Sequence, residues 1–220
     1  MNNDLFSFGG YRLNSFQLFN WGVFDKSIYT LDCKQESSLL TGTNGSGKTT
    51  IVDALLSLIV PPQQRYYNQS SGTEKKRDRS EESYVLGAFG SKFDEDTSDA
   101  KMQSLRDKST FSVLNGVFCL MNTECYVSLL QVRYFSDNSL QRVYAITKGN
   151  LSIETINKTL ESNNMTFDKQ GKWKQCLKKN FGTEFYGDSF KKYSDSFSNI
   201  FGFRSEKALR LFSQIVGLKV

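Results

Sequence analysis

Eight residues, GTNGSGKT from Gly42 to Thr49, constrain this chain more than any other stretch. They fit the phosphate-binding pattern G-x-x-x-x-G-K-[ST], a loop that enters a helix after a buried strand. Leu39 and Leu40 lead in like the end of such a strand. TTIVDALLSLIV follows with the broad apolar face of a helix. Glycines let backbone N–H groups turn inward around phosphate oxygens. The helix N-terminus adds partial positive charge at the same point. Lys48 is expected to reach the β- and γ-phosphates as a point charge, and the Thr49 hydroxyl to ligate Mg²⁺. Gly42, Thr43, Asn44, Gly45, Ser46 and Gly47 form the cradle, with Thr50 in the first helical turn near the α-phosphate. The expected ligands are ATP and Mg²⁺.

Composition narrows the rest. Hydrophobic residues make up 38% of the 220, enough to bury a core, so general disorder is excluded. No apolar run approaches the length of a membrane span. MNNDLFSFGG lacks the basic and apolar blocks of a signal peptide, so a cytoplasmic protein without membrane partners is expected. The chain has no histidine, and Cys33, Cys119, Cys125 and Cys176 form no C-x-x-C pair. Zinc sites and Ser-His or Cys-His catalysis are therefore not expected, and the cysteines read as reduced thiols.

Tyr11 to Asn20 and Val23 to Leu31 read as two strands of a hairpin. The apolar phase switches between Leu13 and Phe16, which suggests a bulge or a strand buried on both faces. The helix after the loop should stop at Pro61-Pro62. Residues 63–110 read as a polar insertion. Its cluster EKKRDRSEE, Glu74 to Glu82, sets four basic against four acidic residues and reads as a solvated loop or short helices. SYVLGAF, Ser83 to Phe89, is a candidate ordered piece within it. Phe111 to Asn122, Cys125 to Phe135 and Gln141 to Thr147 read as a three-strand meander, and Leu151 to Leu160 as a helix. Glu206 to Val216 reads as a last helix, capped by Ser205 and stopped by Gly217.

Charge is uneven. From Lys169 to Lys192 seven lysines face only Glu184 and Asp188, so this window alone carries +5, the surplus of the whole chain. Interleaved aromatics make Lys172, Lys174, Lys178 and Lys179 candidate DNA contacts, against the alternative of a packed segment with a solvated lysine face.

A self-sufficient nucleotide hydrolase of this class needs an acidic residue at the end of a second buried strand. After Thr49 no run of four apolar residues is followed by Asp or Glu; the nearest, VFCLMN, ends in Asn122. An LSGGQ-like signature is also missing. The chain reads as half of a nucleotide site.

That layout resembles the N-terminal lobe of an SMC-type ATPase head, a relative of the ABC ATPases. YRLNSFQLFNWGVFDKSIYTLD, LLTGTNGSGKTTIVDALLSLIVPPQQRYYNQSSG and SYVLGAFG resemble the MukB/MksB-like branch, nearest to the JetC type found in Wadjet plasmid-defence systems. VSLLQVRYFSD with KGNLSIE resembles the later strands of that lobe, and FGFRSEKALRLFSQIVGLK its exit towards a coiled coil. The resemblance implies an α/β P-loop NTPase fold: a mixed sheet with an antiparallel subdomain and flanking helices, residues 151–220 leading to the coiled coil. It implies that Gln131 ligates Mg²⁺ and senses the γ-phosphate. It places Asn20, Trp21 and Phe24 near the nucleotide edge and Arg65 near ATP or DNA. The implied partners are the C-terminal lobe, a second head copy, kleisin-like and accessory subunits, a nuclease and DNA. Two other readings stay open: a stand-alone P-loop enzyme, and a non-enzymatic nucleic-acid-binding module using the lysine-rich region.

Overall fold

The computed structural model describes residues 10–65, 80–94 and 99–203. Strands β1 (Tyr11–Trp21) and β2 (Phe24–Asp32) form the expected hairpin, closed at Trp21↔Phe24. The β1–β5 register shifts between Leu13 and Ser15, where the apolar phase switches. Helix α1 (Lys48–Ile59) follows the glycine loop and ends just before Pro61-Pro62. Helix α2 (Glu81–Leu86) starts at a Ser80 capping box. A two-stranded ladder, β3 (Ala88–Asp94) and β4 (Asp99–Ser104), stands apart from the main sheet. The meander is β5 (Phe111–Leu120), β6 (Tyr126–Ser136) and β7 (Ser139–Lys148). Helices α3 (Ile153–Ser162) and α4 (Lys172–Phe181), the two-residue β8 (Glu184–Phe185) and α5 (Phe190–Phe201) complete the described chain.

The main sheet runs β2-β1-β5-β6-β7-β8, and every pairing in it is antiparallel. The mixed sheet is thus corrected to an antiparallel one. The strand expected before the glycine loop is also absent: Leu39 and Leu40 lie outside any regular element, and Leu39 is 85% exposed. Two apolar residues, one of them almost fully exposed, carry too little burial to recruit a strand.

Alternation along the strands separates two cores. Phe16, Leu18, Leu114, Leu129, Phe135 and Tyr144 face α1, α2 and α5. Val113, Leu130, Val132, Val143 and Ala145 face Ile153, Ile156 and Leu160 of α3 and Trp173 and Leu177 of α4. Because both faces are covered, the strands read as nearly continuous apolar runs rather than as alternating ones. Gln17 ties the layers: its amide donates to Glu154 (2.7 Å), and its carbonyl accepts from Ile153 N at the start of α3 (2.7 Å). The final helix expected at Glu206–Val216 lies outside the described residues, as does most of the Glu74–Glu82 cluster.

Candidate nucleotide site

The loop from Gly42 to Ser46 is exposed and leads straight into α1. Gly45 and Gly47 hold φ of +82° and +89°, a region that side-chain-bearing residues rarely adopt. Helix α1 starts without a side-chain cap and without an acidic residue in its first turn. The first hydrogen bond of the helix runs from Ile51 N to Gly47 O (3.0 Å), so the N–H groups of Lys48, Thr49 and Thr50 have no intrahelical partner. Uncapped donors at a positive helix end suit a phosphate. Lys48 Nζ lies 2.6 Å from Gly42 O and 2.7 Å from Thr43 O, inside the cradle. An arriving polyphosphate would replace these neutral carbonyls with anionic oxygens around the same ammonium. The Thr49 hydroxyl, in the first turn, is placed to offer one ligand to Mg²⁺, a cation that otherwise keeps waters and substrate phosphates. These residues fit a Mg²⁺-nucleotide.

The loop is braced from one side. A Cβ built on Gly47 would lie 2.8 Å from Phe24 Cζ and 3.3 Å from Val23 Cγ2, so the β1–β2 turn rests directly on the loop. Thr50 packs its methyl against Gly22 of the same turn. Phe24 therefore does lie at the loop, whereas Trp21 is fully buried and stacks on Tyr84 at 5.0 Å.

Three expected site residues are placed elsewhere. Gln131 lies in the middle of β6 and is 1% exposed. Its amide donates to Ser57 O (2.9 Å), and its carbonyl accepts from Arg133 Nη2 (2.5 Å). Ser57 is nine residues beyond Lys48, roughly 13 Å along the helix axis. Gln131 thus supports the far end of α1 and does not meet Thr49 in this structure. Asn20 is also consumed internally. Its amide donates to Thr110 Oγ1 and Phe111 O, and its carbonyl accepts from Lys26 N, pinning the hairpin to β5. Arg65 is a core residue rather than a DNA contact. Its side chain is 2% exposed, donates to Val60 O and Ser57 O, and pairs with Glu81.

Glu81, which the charge pattern reads as solvated, is the centre of a buried ionic cluster. Its Oε1 accepts from Arg65 Nη1 (3.2 Å) and Arg133 Nε (2.5 Å), and its Oε2 from Arg142 Nε (2.7 Å). Burial raises its pKa, but the three guanidinium groups outweigh that and bring it down to about 2. Arg133 also lies 4.9 Å over the Trp21 ring. The register of the meander sets Arg133 opposite Arg142, a pairing that sequence reasoning missed. Two like charges side by side on a buried face require a carboxylate between them.

On the opposite layer, α4 buries Trp173, Cys176 and Leu177. Lys172, Lys178 and Lys179 are exposed and Lys174 is half-buried over the Trp173 ring. The four lysines share one helix but lie on the other side of the sheet from α1.

A family model described as the P-loop containing region of AAA domain matches residues 13–74. Over that stretch the chain is similar to P-loop ATPases. The match spans the β1–β2 hairpin, the glycine loop and α1, the three parts that the geometry joins into one site. No curated protein matches the chain. Among the described residues no helix is long and apolar enough to cross a membrane.

Proposed function

We propose that this chain binds ATP and Mg²⁺ at the Gly42–Thr49 loop as one half of a composite ATPase site, the N-terminal lobe of an SMC-like head. The observation that carries the reading is the uncapped start of α1 behind a left-handed glycine loop with Lys48 already inside it. Lys48 neutralises the β- and γ-phosphates, the loop and the first helical turn supply backbone donors, and Thr49 ligates the metal. The half-site part rests on the chemistry that is missing. No run of four apolar residues after Thr49 is followed by an acid, and Gln131 is occupied at the other end of α1. Exposed Leu39, Val23 (50%) and Val52 (43%) lie on the loop's lead-in, the turn beside the loop and α1, and suit cover by a second lobe.

In this reading ATP is sandwiched between the loop of one head and the signature-bearing lobe of another. Binding closes the pair and hydrolysis opens it, a population shift driven by the γ-phosphate. DNA translocation or loop extrusion, in plasmid defence or chromosome organisation, is the work such a motor does. The C-terminal lobe, a second head, kleisin-like and accessory subunits, a nuclease and DNA are its proposed partners. Turnover tests the half-site. The chain alone should hydrolyse ATP at background rate and gain activity when supplied with the C-terminal lobe of the same ATPase. Robust turnover by the chain alone would refute the composite site.

A second reading, nucleic-acid binding through α4, is favoured by one observation. The helix carries no acidic residue and turns Lys172, Lys178 and Lys179 to solvent. It is compatible with the first reading, because the two surfaces lie on opposite layers.

A further inference from the structure

Arg106 follows β4, outside the main sheet, and is 8% exposed. Its guanidinium joins three segments. Nη2 donates to Gly22 O (2.9 Å) and Tyr84 O (3.0 Å), and Nε to Val85 O (2.9 Å). Nη1 donates to Phe24 O (3.3 Å) and Asp25 Oδ1 (3.0 Å). Four of the five acceptors are backbone carbonyls, so the arginine reads the path of the chain rather than its side chains. The packing around it leaves little slack. Gly22 N donates to Tyr84 O (2.7 Å), and Arg106 N to Leu86 O (3.0 Å). A Cβ on Gly87 would lie 2.7 Å from both Arg106 Nη2 and Gly22 O.

The turn that Arg106 holds is the turn that touches the nucleotide site. Val23 and Phe24 rest on Gly47, and a Cβ on Gly22 would lie 2.5 Å from Thr50 Cγ2. Between the guanidinium and the loop there is only one tight turn, fixed by hydrogen bonds at Gly22 and Phe24. Loop glycines are free to adopt many backbone conformations, so a cradle whose donors must converge on phosphate needs an external brace.

We propose that Arg106 is a positioning residue for nucleotide binding: it clamps the Gly22–Asp25 turn against the end of α2, and the turn holds Gly47 and Thr50 in the geometry that binds phosphate. The inference rests on the nucleotide-site reading above and adds a residue that never touches the ligand. Lysine at this position keeps the charge but, as a single point donor, cannot span five acceptors.

The test uses the full 220-residue chain in three variants. Arg106→Lys should lower ATP affinity about tenfold or more, the scale of a misplaced donor set. Amide exchange at Gly22 and Ile51, whose N–H groups donate to Tyr84 O and Gly47 O, should rise about as much, with far-UV circular dichroism unchanged. Gly22→Ala disturbs the same turn with Arg106 intact and should weaken ATP binding too; it carries the test if Arg106→Lys does not fold. Ile156→Val, in the core on the other face of the sheet, is the stability control and should bind ATP as wild type does. Wild-type affinity and exchange in the turn variants would overturn the proposal, and so would an equal affinity loss in Ile156→Val. A wild-type chain that binds no ATP would sink the nucleotide reading instead. Amide exchange would then judge the brace alone: faster exchange in Arg106→Lys supports it, and unchanged exchange overturns it.

Discussion

Replacing Glu81 with glutamine should destabilise the fold by about 3 kcal/mol at neutral pH and remove part of its acid sensitivity. The size follows from the cluster. A carboxyl ordinarily titrating near 4.5 is held at about 2 by Arg133, Arg65 and Arg142, against a burial that pushes the other way. A fall from 4.5 to about 2, at about 1.36 kcal/mol for each pH unit, corresponds to about 3 kcal/mol. The folded pKa lies below the unfolded one, so this stability is fully present above about pH 4.5. It is lost as pH falls from there through 2. Glutamine keeps the shape but removes the carboxylate that Arg65, Arg133 and Arg142 share, and breaking a buried ion pair costs roughly 3–5 kcal/mol. For a chain of this size the melting temperature should drop by about 6–12 °C. Urea unfolding of both proteins at pH 7, 5, 4 and 3 reads the difference. The gap should narrow as pH falls below 4.5. Equal stability at pH 7, or a gap that stays constant down to pH 3, would refute the assignment of Glu81 as the charge centre of this core.

Gln131→Ala should cost roughly 2–3 kcal/mol, because Ser57 O and Arg133 each lose a buried partner, and should leave the Mg²⁺ dependence of ATP binding unchanged. Denaturant midpoints and magnesium titrations check the two halves; a metal-specific defect in a stable variant would restore Gln131 to the site. Lys178→Glu with Lys179→Glu should weaken DNA binding and flatten its dependence on salt by about two contacts, without touching ATP affinity. Unchanged DNA binding across a salt series would remove α4 from the interface.

Local signals in the sequence carried far in some places. The hairpin, the loop-to-helix entry, the Pro61 stop, the meander and α3 all follow from period and turn chemistry, and each closes through neighbours in the chain. The phase switch at Leu13 and Phe16 even located a register shift. What stayed hidden depends on pairing between distant segments. Leu39 and Leu40 look like strand residues, yet neither pairs with any strand of the sheet. Glu81 sits in a mixed-charge run, yet its partners come 52 and 61 residues later. Asn20, Arg65 and Gln131 have the chemistry of ligand contacts. Each is instead satisfied within the fold, because a polar group on a buried face must find a partner there. Arg106 left no local trace at all, since four of its five acceptors are backbone carbonyls contributed by two other segments.

The central claim is that the Gly42–Thr49 loop is a nucleotide site. Calorimetric titration of ATP with Mg²⁺ into the wild-type chain and into Lys48→Ala tests it most directly. Lys48 makes its hydrogen bonds in an exposed loop, so its loss should leave the melting temperature within about 2 °C, the reach of a surface substitution. The account predicts saturable one-to-one binding by the wild type and none by Lys48→Ala in a folded protein. Equal ATP affinity in the two proteins would contradict it.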